Sequence, residues 1–115
     1  DAGLPVLTAP DGVATRSHAF AVRADATGGD GHALAQRLRE ANLLVSGIGI
    51  PEGPPHATGA IRLGTNEAVR WGLTATDMDT VGDAIVRAAR GDDLAEIAAD
   101  VAAFRRRFDR IHFCR

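Results

Sequence analysis

Thr58-Gly59-Ala60-Ile61-Arg62-Leu63-Gly64-Thr65 is a short β-like run closed by Gly-Thr, with one arginine set inside it. A guanidinium fork presents paired donors that match the two oxygens of a carboxylate, and it keeps its charge at any physiological pH. Arg62 is therefore the leading candidate for a carboxylate ligand. The same residue could instead face solvent or form a surface ion pair with Glu52 or Glu67, since such pairs are common and weak. Spacing leaves both readings open.

Upstream of this strand lies Gly47-Ile48-Gly49-Ile50-Pro51-Glu52-Gly53-Pro54-Pro55, a loop opened by glycine and stiffened by proline. Loops of this kind often carry function. His56, at the end of the loop, and Ser46, at its start, are further candidates for lining a substrate site. His56 reads equally as an exposed loop residue. Leu43-Leu44-Val45 is expected to be a brief strand leading into the loop.

Further toward the amino terminus, Thr27-Gly28-Gly29-Asp30 offers Asp30 or Thr27 as an N-cap. Leu34, Leu38 and Ala41 then fall at helical spacing, which predicts a helix over 31–41 with Arg37 and Arg39 on its outer face. His18 to Val22 reads as a central strand, with His18 as a hydrogen-bonded structural residue. Residues 3–9 read as an edge strand, because Pro5 fits only where no ladder donor is required.

Downstream, Gly64-Thr65-Asn66 ends the strand, and Glu67 to Trp71 can form one helical turn. Thr74-Ala75-Thr76-Asp77 supplies an N-cap with an acidic N3 partner. Met78, Val81, Ile85, Ala88 and Ala89 trace the helix that follows, which stops at Gly91. Leu94, Ile97, Val101, Phe104 and Phe108 recur in steps of three and four, predicting a last helix of about four turns. Arg105-Arg106-Arg107 is expected on its solvated side, and Trp71 is assigned to packing. This order predicts one α+β domain over 1–115, with a small three- to four-stranded, mainly antiparallel sheet covered on one face by helices.

Composition narrows the chemistry. The chain has 115 residues and a formal net charge of −2. All thirteen cationic residues are arginine, scattered except at 105–107, so no basic face suits a nucleic-acid backbone. The absence of lysine removes Schiff-base chemistry with a carbonyl group from this polypeptide acting alone. Cys114 is the only cysteine, which excludes an internal disulfide and fits a reducing, cytoplasmic setting. His18, His32, His56 and His112 lack the short spacing of a metal-ligand pair. No hydroxyl sits in a nucleophile elbow, and Gly47-Ile48-Gly49 is closed by Pro51 where a phosphate-binding loop would open a helix. No apolar run approaches the roughly 20 residues of a membrane span. The chain opens at Asp1 without methionine, so a piece of a longer protein, or a trimmed tag, is expected.

From Thr15 onward the sequence resembles the carboxy-terminal small domain of serine hydroxymethyltransferases, pyridoxal-phosphate enzymes of the aspartate aminotransferase fold type. Thr15-Arg16-Ser17-His18 before an apolar strand is similar to the family's Thr-Asp-Asn-His segment. Thr58 to Thr65 is similar to its Thr-Ser-Gly-Ile-Arg-(Ile/Val)-Gly-Thr, and Trp71-Gly72-Leu73 and Asp77-Met78 follow in the family's order. Arg107-Phe108 is similar to a terminal Arg-(Phe/Tyr)-Pro signature, with Asp109 where the proline would stand.

The resemblance implies that Arg62 binds the α-carboxylate of an amino-acid substrate. It also implies that pyridoxal phosphate and its lysine belong to a large domain outside this chain, in the same gene product or a companion subunit, and that the whole enzyme is a homo-oligomer. Ser46-Gly47-Ile48 stands where the family has Asn-Lys-Asn, a segment that helps bind folate. Losing those hydrogen-bonding groups implies a folate-independent aldolase or transaldolase acting on a β-hydroxy-α-amino acid, in place of a tetrahydrofolate enzyme. A non-catalytic α+β binding or regulatory module is the second reading.

Overall fold

The computed structural model describes residues 3–27 and 29–112, so Gly28 and Cys114 lie outside the described residues. Three strands form the sheet: β1 (Ala19–Arg23), β2 (Ser46–Ile48) and β3 (Ala60–Gly64). Their order is β1-β3-β2, with both pairings antiparallel. The strand carrying Arg62 is thus the central one. Residues 5–7 add a fragment outside β1, where Leu7 N–H donates to Ala21 O and Arg23 N–H to Pro5 O, both at 2.9 Å. This fragment is much shorter than the edge strand expected over 3–9, being a single bridge from Val6 to Val22.

Helix α1 (Gly31–Glu40) starts where expected, with the Asp30 carboxylate accepting the Ala33 N–H at 2.8 Å. The next strand does not. Pairing begins at Ser46, three residues after the expected Leu43 start, because Leu43-Leu44-Val45 is spent leaving the helix. Asn42 turns the chain at φ 61, Leu43 N–H returns to Leu38 O, and Leu44 is left 83% exposed. Gly47 then passes so close to α1 that a Cβ there would stand 2.9 Å from Gly31 C. Only glycine permits that approach.

The single turn expected after the strand is α2 (Asn66–Arg70), followed by α3 (Ala75–Arg90) and α4 (Leu94–Arg105). At the start of α3, the Thr74 N–H and hydroxyl both donate to Asp77 Oδ2, at 2.8 and 2.7 Å. These bonds, the backbone one foremost, hold the Asp77 carboxyl below the usual carboxylate range. Gly91 ends α3 in the left-handed region at φ 89. Arg37 does not simply lie on the outer face: it donates to Ala89 O at 3.0 Å, near the end of α3. Arg87 is held charged mainly by its 3.1 Å hydrogen bond to Asp100 on α4.

The last helix is shorter than its apolar spacing predicts. It stops at Arg105, and Phe108 folds back beside Phe104 with ring centroids 5.2 Å apart. The arginines at 105–107 are exposed, as expected, and two of them also make contacts. Arg105 lies 4.2 Å above the Trp71 ring and donates to Phe108 O, and Arg107 reaches Asp77 at 4.0 Å.

Alternate residues of the sheet feed one core. Val22 and Ile61 meet Leu34 and Leu38 of α1, Ala84, Ala88 and Ala89 of α3, and Ile97 of α4. Leu38, Ile61 and Ile97 are fully buried. Small residues on α3 let the helices approach closely on this side, and burial of these side chains is the main favourable term of the fold. Among the described residues, no helix is long and apolar enough to cross a membrane.

Candidate active site

The antiparallel register decides what surrounds Arg62. Directly opposite residues share a face, and Arg62 stands between Ala21 on β1 and Ser46 on β2. The next pair along is Ala19 with Gly64. The arginine therefore rises from a floor of small side chains, on the face turned away from Ile61 and the core. Its own side is exposed.

Both carboxylates that could have neutralised it are engaged elsewhere. Glu52 pairs with Arg23 at 3.5 Å, and Glu67 with Arg70 at 3.4 Å. Among the described residues, Arg62 has no ion-pair partner. The ion-pair reading of Arg62 does not describe this arrangement, whereas its exposure agrees with the solvent-facing alternative.

An open concavity of about 600 Å³ lies over this face, lined by Arg62, Ser46, His18, Leu44, Asn66 and Glu67 among others. Ser46, a sequence-level candidate, is thereby brought beside Arg62. His56 is not a lining residue of this concavity; it is exposed in the loop before β3, at φ 68. His18, read from sequence as structural, fulfils that role only through its backbone. Its carbonyl accepts the Thr65 N–H at 2.9 Å and the Thr65 hydroxyl at 3.3 Å. The residue is exposed and borders the concavity. The sequence signal for His18, Asn66 and Glu67 was adjacency: each flanks a strand end that the register brings next to Arg62.

A second hollow, about 450 Å³, is lined by Leu7 to Arg16 together with Pro51 and Glu52. Its charged groups are already paired, Arg16 with Asp11 at 2.9 Å and Glu52 with Arg23. It offers no unengaged cation comparable to Arg62. Among the described residues, no group of three metal-ligating side chains comes together.

With a lone guanidinium, a hydroxyl and an amide beside an open space, the site can bind a small polar anion and orient it. It contains no amine, so it cannot itself anchor a carbonyl cofactor.

No family model matches the chain. Among curated proteins it is 40% identical over 117 residues to an alpha-methylserine aldolase of a Ralstonia species, covering 98% of this chain and 26% of that protein. A serine hydroxymethyltransferase of Pyrobaculum arsenaticum is 34% identical over 100 residues, covering 86% of this chain and 23% of its own length. Among solved structures, an L-threonine transaldolase from Pseudomonas fluorescens superposes with a TM-score of 0.77 at 26% identity, over 93% of this chain and 24% of that one. The chain spans about a quarter of the length of the curated relatives it matches.

Proposed function

From a chain that belongs to the carboxy-terminal region of serine hydroxymethyltransferase-like proteins, we propose that this domain is the substrate-carboxylate wall of a pyridoxal-phosphate enzyme acting on a β-hydroxy-α-amino acid or glycine. The observation that carries the proposal is the unpaired guanidinium of Arg62 beside an open concavity lined by Ala19, Gly64 and Ser46.

The residues present fit one end of an amino acid and not the cofactor. With no lysine, this chain leaves the Schiff-base amine to the large domain that makes up the rest of the relatives' length. When bound there, pyridoxal phosphate supplies the electron sink for breaking a bond at the substrate α-carbon. Arg62 orients and does not react. Two parallel N–H···O bonds fix the carboxylate plane, and with it the direction of the remaining bonds at the α-carbon. Ser46, directly across the strand pair, offers a hydroxyl to the same carboxylate. The proposal gives His56 no role.

Folate independence is part of the reading. Ile48, paired with Ala60 at the end of β2, puts a hydrocarbon where the resemblance places an amide, and a site that loses its hydrogen-bonding groups loses a polar ligand. Assembly of the whole enzyme as a homo-oligomer is likewise proposed.

The test is a titration of the full-length enzyme with glycine, followed by the cofactor's visible absorbance. Arg62→Ala is expected to weaken binding by about 3 kcal/mol, on the order of 100-fold, through loss of a charge-assisted bidentate contact. Arg62→Lys restores the charge without the fork and should recover only part of it. Unchanged affinity in both variants refutes the assignment.

A further inference from the structure

We infer that the surface centred on Leu44, between the Arg62 concavity and a second hollow along α1, is where the amine-bearing domain of the full-length enzyme docks; this rests on the carboxylate reading of Arg62.

The segment from the end of α1 into β2 alternates in burial. Leu43 and Val45 pack against the core, whereas Leu44 and Ser46 are exposed. A period of two sets Leu44 on the face of Ser46, and Ser46 stands directly opposite Arg62. Continuing that register by two residues brings Leu44 level with Gly64, which has no side chain to cover it. Leu44 and Arg62 are then diagonal neighbours on one face, with backbones about 7–8 Å apart. Leu44 is 83% exposed.

Helix α1 supplies the other border. His32, Gln36 and Arg39 recur at steps of four and three, so they share one helix face. With Leu44 and Ser46 they line an open hollow of about 330 Å³. Leu44 and Ser46 also line the Arg62 concavity, so the two hollows meet there. His32 and Gln36 are joined at 3.4 Å, and among the described residues Arg39 has no ion-pair partner. A single exposed leucine is ordinary on a protein surface. One that stands where two hollows meet, with polar groups around it, has the layout of an interface core and its rim.

Reach identifies the occupant. The α-nitrogen of an amino acid is two bonds from its carboxyl carbon, each about 1.5 Å long. A chain without lysine must therefore receive its Schiff-base amine from a segment that comes within contact distance of the molecule Arg62 holds. The curated relatives carry about three quarters of their length outside the part this chain covers. The segment thus belongs to a body large enough to cover Leu44, the neighbour of Arg62, as well. Its approach takes the leucine out of water, and a carboxylate at its rim meets Arg39.

The experiment uses the full-length enzyme. In Leu44→Cys, the thiol at position 44 is expected to react with a maleimide at least about tenfold more slowly in the native enzyme than in urea, because a buried group is reached only through local opening. Peptide mass spectrometry separates this thiol from any other. Leu44→p-benzoylphenylalanine, a photo-crosslinking substitution, then identifies the cover, and the crosslinked peptides should come from the amine-bearing domain. Similar labelling rates in both states, no crosslink, or crosslinks only to residues 1–115 of a second copy overturn the proposal. Arg62→Ala, titrated with glycine, separates the two claims. If it loses glycine affinity while position 44 labels freely, only the docking surface falls. If it binds glycine normally while position 44 is protected and crosslinks to the amine-bearing domain, only the carboxylate reading falls.

Discussion

Ile61 and Arg62 are neighbours on one strand with opposite fates. Ile61 is fully buried among Leu34, Leu38 and the α3 alanines, whereas Arg62 is exposed among alanine, glycine and serine. A strand's period of two makes this division unavoidable: one set of residues builds the core and the other is free to bind. Covering only one face with helices leaves the other face, and its arginine, for whatever completes the site. A slip of one residue in the β1-β3 register would exchange the two roles.

The comparison breaks most visibly through its buried half. Ile61→Ala is expected to cost about 2–5 kcal/mol of stability, from lost burial and a residual cavity, measured by urea unfolding. Gly31→Ala attacks the same face from the helix side, since a Cβ at Gly31 would overlap the carbonyl oxygen of Ala60. It should cost about 1–3 kcal/mol by forcing α1 off β3.

Asp77→Asn probes stability away from both faces, and its effect should depend on pH. The folded-state pKa of Asp77 is depressed, chiefly by the Thr74 hydrogen bonds. The wild-type advantage is therefore present above the ordinary carboxylate pKa and disappears as pH falls through the depressed one. Thermal unfolding of the pair across that acid range should show the two curves converging. The smallest effect is expected at the binding half: Arg62→Ala should change stability by no more than about 0.5 kcal/mol, because the side chain is exposed and unpaired. A large loss there would mean that Arg62 holds the fold and not a ligand.

Local chemistry made much of this legible in advance. Asp30, the Thr74–Asp77 pair and Gly91 announce helix ends because their side chains, or the lack of one, act within a turn of where they stand. The Arg62 strand is readable for a similar reason, its β residues being closed by Gly-Thr. What sequence could not supply was decided by approach between distant segments. Leu43-Leu44-Val45 has the better strand composition, yet Ser46-Gly47-Ile48 pairs, because Gly47 alone can pass against Gly31. Arg105 is exposed as its place in the arginine run suggests, yet its approach to Trp71 joins segments whose spacing gave no sign of it.

The central claim is that the guanidinium of Arg62 receives the substrate carboxylate, and a crystal structure of the full-length enzyme with bound glycine or serine tests it most directly. Two hydrogen bonds from that guanidinium to the carboxylate oxygens are expected, within the roughly 2.7–2.9 Å of charge-assisted pairs. A carboxylate held by other residues, with Arg62 turned to solvent, would contradict it.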